Sequence, residues 1–174
     1  MITDKRYLLI TGFIYTLLIS GIMAFYFIDP FYNECVTGNC RSGYGIYISQ
    51  SGMKYKGQWR NGKRHGKGNL TYPGHYTYNG QWKKDKMHGV GIMTLASGTQ
   101  YKGEWKQGFK HGHGILSNPN GYKYDGEWEN GKMNGKGVLT HPAGWTYAGN
   151  WKDGIKHGYG KITGADGSEW EGEW

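Results

Sequence analysis

The chain has 174 residues and carries 21 Lys and Arg against 13 Asp and Glu, a formal net charge of +8. Gly accounts for 32 residues, while Leu, Ile, Val and Phe are sparse after residue 31. A globule built on an aliphatic core is therefore excluded, and burial falls to the 15 Tyr and 8 Trp.

At the N-terminus, residues 1–6 end in Lys5 and Arg6, and residues 7–28 (YLLITGFIYTLLISGIMAFYFI) run 22 residues without a charge. About 20 apolar residues suffice to cross a bilayer as a helix, so a single transmembrane α-helix is expected over residues 7–28. A buried core helix has no core to enter. A cleaved signal peptide, with Ile22-Met23-Ala24 as a weak cleavage site, is the rival reading, although the run exceeds the usual apolar stretch of about 7–15 residues. Lys5 and Arg6 precede the span, whereas Asp29 and Glu34 follow it and the next cation is Arg41. The positive-inside rule then leaves residues 1–6 cytoplasmic and everything after the span extracytoplasmic, with Phe25, Tyr26, Phe27, Phe31 and Tyr32 as an interfacial aromatic belt. A bacterial inner-membrane anchor with a periplasmic domain fits, and so does a eukaryotic lumen or cell exterior.

Residues 29–54 read as a short linker and a degenerate opening unit. Cys35 and Cys40 flank Val36-Thr37-Gly38-Asn39, and a hairpin centred on Thr37-Gly38 would set them opposite one another, near disulfide distance. A disulfide belongs to an oxidising compartment and, closing so short a loop, contributes only about 2 kcal/mol. Two free thiols are the other reading. Two ligands are too few for a metal site.

From residue 55 the chain repeats. Tyr55, Tyr78, Tyr101, Tyr124, Tyr147 and Trp170 fall 23 residues apart, each opening an aromatic-x-Gly-x-Trp run: YKGQW, YNGQW, YKGEW, YDGEW, YAGNW and WEGEW. The glycines of the five full copies are Gly57, Gly80, Gly103, Gly126 and Gly149, and the tryptophans are Trp59, Trp82, Trp105, Trp128 and Trp151. A Gly-x-Gly pair follows in each, at Gly66/Gly68, Gly89/Gly91, Gly112/Gly114, Gly135/Gly137 and Gly158/Gly160. A fixed period in this range marks a repeat array.

Residues at i, i+2 and i+4 of a strand share a face, so Tyr55, Gly57 and Trp59 look the same way. Asn61-Gly62 is a strong hairpin signal. As a two-residue loop it predicts Gly57 opposite Gly66 and Tyr55 opposite Gly68, the ring lying over a residue without a side chain. Asn130-Gly131 and Asp153-Gly154 repeat that turn chemistry, Gln107-Gly108 keeps the glycine, and Lys84-Asp85 lacks it. A second turn recurs at Ser51-Gly52, Ser97-Gly98, Asn120-Gly121, Ala143-Gly144 and Asp166-Gly167, giving two strands per period. In the first full copy Gly74 comes one place early and His75 fills the expected slot, which predicts a displaced or bulged return turn.

These motifs resemble the MORN repeat (membrane occupation and recognition nexus), a hairpin unit of roughly 23 residues. The resemblance covers five full copies over residues 55–169, a closing half-copy at residues 170–174, and a degenerate opening copy from Tyr32 in which Glu34 and Val36 replace the Gly and Trp while Gly43 and Gly45 match the Gly-x-Gly pair. It implies an all-β, elongated, single-layer antiparallel meander over residues 55–174. At about 10 Å per copy, such a sheet would be a rod of roughly 60 Å with nearest-neighbour contacts only. The family implies binding, scaffolding or dimerisation.

No enzymatic site is expected, because catalysis needs unlike groups converging at hydrogen-bond distance and an array offers like groups in translation. The Gly-x-Gly pairs lack the context of a phosphate-binding loop, and no cofactor is expected. His65, His88, His111 and His157, with Asn134 in the fourth copy, recur about 10 Å apart, too far to share a metal, and read as a polar column on a solvated face. Copy by copy the net charge runs +5, +2, +3, −1, 0 and, for the closing half, −2. Lys56, Arg60, Lys63, Arg64 and Lys67 of the first copy form a candidate basic patch for anionic lipid headgroups. Two functions follow: a membrane-anchored interaction module that docks a protein partner, a second copy or an anionic membrane, and a glycan-binding module stacking sugars on the Trp/Tyr column. Exposure of that column separates them. No nucleic-acid partner is expected.

Overall fold

The computed structural model describes the backbone of residues 14–19 and 22–27 and the whole of residues 34–174. Ile14–Ile19 (β1) and Ile22–Phe27 (β2) pair antiparallel, Ile14 opposite Phe27. The helix expected over residues 7–28 is thus not found where its backbone is described. The two runs are rich in Ile, Tyr and Phe, which serve strands as readily as helices. The rest of that stretch and Tyr32 lie outside the described residues, among which no helix is long and apolar enough to cross a membrane.

A second sheet has 13 strands in strict sequence order. They are Glu34–Gly38 (β3), Ser42–Ile48 (β4), Lys54–Arg60 (β5), Lys63–Tyr72 (β6), Tyr76–Lys83 (β7), Lys86–Leu95 (β8), Gln100–Lys106 (β9), Phe109–Ser117 (β10), Lys123–Glu129 (β11), Lys132–Thr140 (β12), Thr146–Lys152 (β13), Ile155–Thr163 (β14) and Glu169–Glu173 (β15). Every neighbouring pair is antiparallel, so the sheet is the expected single-layer meander.

Both turns of the period are present. At the hairpin tips both loop residues take positive φ, 53° and 69° for Asn61-Gly62, the pattern of a type I′ turn. Lys84-Asp85 adopts the same conformation, 52° and 68°, without glycine. Arg64 supports that loop: its N–H donates to Asp85 Oδ1 at 2.8 Å and its guanidinium to the Asp85 carbonyl at 3.0 Å. The second loop residue also ties each tip to the repeat before it, as Gly62 N–H to Arg41 O at 2.9 Å and Gly131 N–H to Lys110 O at 3.0 Å. At the return end, Gly98 N–H bonds Leu95 O at 2.9 Å, and His75 N–H bonds Tyr72 O at 3.0 Å. The first copy therefore keeps the loop length and moves only the positive φ, from the Gly98 position to that of Gly74 at 73°. Pro73 ahead of Gly74 suits that turn.

The predicted cross-strand register needs correction in every full copy. A bulge sets Gln58 against residues 65–67, so Gly57 faces Gly68 and Tyr55 faces Leu70. In the same way Gly80 faces Gly91, Gly103 faces Gly114, Gly126 faces Gly137 and Gly149 faces Gly160. The first glycine of each pair is spent on the bulge: Gly66 takes φ 60° there and shares no face with Gly68, and Gly89, Gly112, Gly135 and Gly158 take φ 62°, 58°, 77° and 60°. Gln58 Oε1 stabilises the bulge by accepting the Lys67 N–H at 2.7 Å, as Glu104 and Glu127 do for the N–H groups of His113 and Lys136.

The opening hairpin is corrected too. Its turn lies at residues 39–41, where Asn39 Oδ1 accepts the N–H groups of Arg41 and Ser42 at 3.0 and 2.9 Å. Cys40 sits in this turn instead of opposite Cys35, and the disulfide spans the turn with Cα atoms 5.8 Å apart. Cys35 pairs with Tyr47, which holds the place of Leu70 in the period, so Cys35 occupies the slot of Tyr55. The first strand has slipped three residues against the phase that pointed to Tyr32.

Candidate interaction surface

One face of the sheet is filled by its own rings. Each Tyr folds back along its strand and donates its Oη proton to the carbonyl three residues on, Tyr55 to Gln58 at 3.0 Å and Tyr147 to Asn150 at 3.1 Å. The rings reach over both glycines of the register pair. A Cβ on Gly68 would stand 2.5 Å from Tyr55 Cζ, and one on Gly57 would stand 2.6 Å from Tyr55 Oη. Gly91, Gly114, Gly137 and Gly160 lie likewise under Tyr78, Tyr101, Tyr124 and Tyr147, where a Cβ would come within 2.6 Å of ring Cε2 in each copy. All four are buried. The second glycine of the pair, expected to lie directly opposite its Tyr, is instead reached diagonally and belongs to the interior, so it offers no contact to a partner. Each Trp Nε1 donates across to that glycine in the preceding copy, as Trp82 to Gly68 O at 3.2 Å, Trp128 to Gly114 O at 3.0 Å and Trp151 to Gly137 O at 3.3 Å.

Between repeats the rings interlock edge to face. Tyr55 meets Trp59 at 5.0 Å and Trp82 at 5.4 Å, Tyr78 meets Trp82 and Trp105, and the order continues to Tyr147 and Trp174 at 4.9 Å. Each such contact contributes about 0.5–1.5 kcal/mol beyond area. Tyr55, Tyr78, Tyr124 and Tyr147 are fully enclosed and Trp105, Trp128 and Trp151 are 5% exposed. Burial pushes the phenols of Tyr55, Tyr78, Tyr101 and Tyr124 well above the usual tyrosine range.

The repeat-defining Tyr, Gly and Trp residues thus lie in one device, a ladder of rings with its glycine floor and bulge. A scan against family models matches the MORN repeat at residues 41–54, 55–75, 78–100, 101–121, 124–146 and 147–169. The chain belongs to the MORN-repeat family. No curated protein matches it. The family match begins at Arg41, after the slipped strand β3.

Sequence reasoning missed a column on the aromatic face of the MORN array: Arg64, Met87, Lys110, Met133 and Lys156, one residue after each tip-flanking position. The Arg64 guanidinium lies 4.4 Å from the Trp82 ring centre, Lys110 Nζ 4.5 Å from that of Trp128, and Lys156 Nζ 4.5 Å from that of Tyr147. Desolvation lowers the Lys110 and Lys156 ammonium pKa values. The signal was a period-23 column of long side chains.

The candidate basic patch is divided by this geometry. Arg64 is inside, paired with Asp85 at 3.3 Å and stacked on the ladder. Lys56 and Lys67 stand exposed on the opposite face, beside Asn69 and Gln81 in register. Arg60 and Lys63 flank the first tip. The MORN array also has an unforeseen transverse polarity. Lys83/Lys86, Lys106/Phe109 and Lys152/Ile155 flank later tips, whereas the return loops at residues 49–53, 73–75, 96–99, 118–122, 141–145 and 164–168 hold no Lys or Arg. Among the described residues no cluster of three or more His, Cys, Asp or Glu could hold a metal ion. His88 faces Gln81 in register.

Proposed function

We propose that this MORN array is a membrane-anchored, non-catalytic scaffold that docks a protein partner or an anionic membrane surface. MORN repeats are generally binding or scaffolding modules. The observation that carries the reading is the placement of charge. Along the hairpin tips, Arg60, Lys63, Lys83, Lys86 and Lys106 are exposed and join no ion pair among the described residues, where Arg64 is paired with Asp85 and the other pairs tie Lys123, Lys132, Lys161 and His113 to acids of the later repeats. Exposed cations without acidic partners suit an anionic surface brought from outside. The apolar, charge-free run over residues 7–28 supports attachment to a membrane, and Lys5 and Arg6 ahead of it support an extracytoplasmic array. The disulfide is consistent with an oxidising compartment. A glycan reading loses its basis, since rings enclosed to this degree offer no face to a sugar.

Co-sedimentation with vesicles tests the proposal. The chain lacking residues 1–28 should bind anionic and not neutral vesicles, less so with added salt. Arg60, Lys63, Lys83 and Lys86 changed together to Gln should abolish binding. A protein partner captured equally by that variant, with no vesicle binding at low salt, would shift the function wholly to protein docking.

A further inference from the structure

The tip edge of the sheet carries two exposed hydrophobic side chains in a setting that nothing in the fold explains. Phe109 and Ile155 are each the first residue after a tip, 55% and 71% exposed, and each faces a lysine across its hairpin, Lys106 and Lys152. Elsewhere along this edge the equivalent places hold Lys63, Lys86 and Lys132. Of the acids here, Asp85 is held by Arg64 and Asp153 by Lys132, which leaves Glu129.

We infer that the array lies on the anionic bilayer edge-on, with the hairpin tips against the lipid and Phe109 and Ile155 entering the interface. This rests on the anionic-surface reading above and supplies the orientation it lacks. A purely charged polyanion would satisfy the lysines and leave both apolar side chains in water. A lipid interface satisfies both, the cations at headgroup phosphates and the apolar side chains at the acyl boundary. The other surfaces compete poorly. The ladder face is filled by its own rings, the return loops have no Lys or Arg, and the outer face, although it too exposes Tyr44, Val90 and Tyr159, mixes its lysines with Glu104, Asp125, Glu127 and Glu171. Sheet twist rotates successive tips, so one plane meets a few tips at a time.

The test uses the full chain reconstituted, without reductant, into vesicles of anionic or neutral lipid, with an environment-sensitive dye on a single introduced cysteine. Gln107→Cys reports the tip edge, Ser97→Cys the return edge and Asn79→Cys the outer face. The dye at 107 alone should shift to the blue, and only in anionic vesicles. Lys63, Lys86 and Lys106 changed to Gln should lose that shift, at about fivefold per cation in the docking equilibrium. Phe109→Ser should weaken it with the charge intact, by about tenfold, while Lys56, Lys67 and Lys102 changed to Gln should keep it. A shift at 79 and not at 107 would overturn edge-on docking and leave the anionic-surface reading standing. No shift anywhere would remove both. A larger shift at 107 with polyglutamate than with anionic lipid would assign the edge to an acidic protein.

Discussion

Two kinds of glycine do different work at the residue scale. Gly68 leaves room for the Tyr55 ring, whereas Gly62 has nothing within 4 Å of a Cβ and is needed only for its φ of 69°. Gly68→Val should cost about 2–4 kcal/mol through overpacking and a lost ring contact; Gly62→Ala should cost about 1 kcal/mol. Equal shifts of the melting temperature would show that the ring does not depend on the floor beneath it. The enclosed phenols set the alkaline limit. Because burial raises the pKa of Tyr55, Tyr78, Tyr101, Tyr124 and Tyr147 above the ordinary value of 10.0, the fold holds their protons more tightly than the unfolded chain does. Their contribution is complete below about pH 10 and is lost as pH climbs toward the raised values. Tyrosinate absorbance of these five should therefore rise only together with loss of near-ultraviolet dichroism. Their ionisation in a chain still folded would contradict the enclosure.

Hairpins are the element of this fold, and their tips were legible because Asn-Gly and Asp-Gly declare left-handed loop residues. The bulge was not. It leaves the 23-residue period untouched, so Gly66 and Gly68 read as a pair on one face when only Gly68 lies under the ring. Gly91, Gly114, Gly137 and Gly160 were misplaced by the same argument, each set opposite its Tyr when its true partner is the glycine two residues further on. The Gln58, Gln81, Glu104, Glu127, Asn150 column was the available clue, a polar side chain beside the bulge in each copy that accepts a backbone N–H at Gln58, Glu104 and Glu127 and donates to the Tyr159 carbonyl at Asn150. Lys84-Asp85 shows how a tip survives without glycine. Asp85→Gly would relieve a left-handed residue by about 1 kcal/mol but remove charge-assisted hydrogen bonds to Arg64 worth somewhat more, even half-exposed. It should be neutral to destabilising by up to about 1 kcal/mol. Gln107→Asn, where φ is 57° and no such tie exists, should stabilise by about 0.5 kcal/mol. Chemical denaturation in which Asp85→Gly proved the more stabilising would remove Arg64 from this account.

At the scale of the whole molecule the array is one-dimensional, for substantial contacts join only consecutive strands. Two turns per period gave two strands per copy, and the resemblance to the MORN repeat supplied the single-layer meander. The opening unit was misread because its covalent link replaced the ring that carried the period. There Cys40 Sγ stands over Gly45, where a Cβ would come within 2.8 Å, doing for the first glycine floor what Tyr55 does for the second. The disulfide is thus the terminal rung, and Trp59 is the ring next to it, donating to Gly45 O at 3.3 Å. Reduction should cost about 2 kcal/mol, and nearest-neighbour coupling confines the loss. Amide exchange should quicken in β3 and β4 and fall back to the native rate within about one repeat, leaving β9 to β12 unchanged, while Trp59 moves to a more polar environment. Uniform loss of protection along the sheet would mean that the array unfolds as one cooperative body, and the ladder would then have to be read as a continuous core instead of a chain of neighbours.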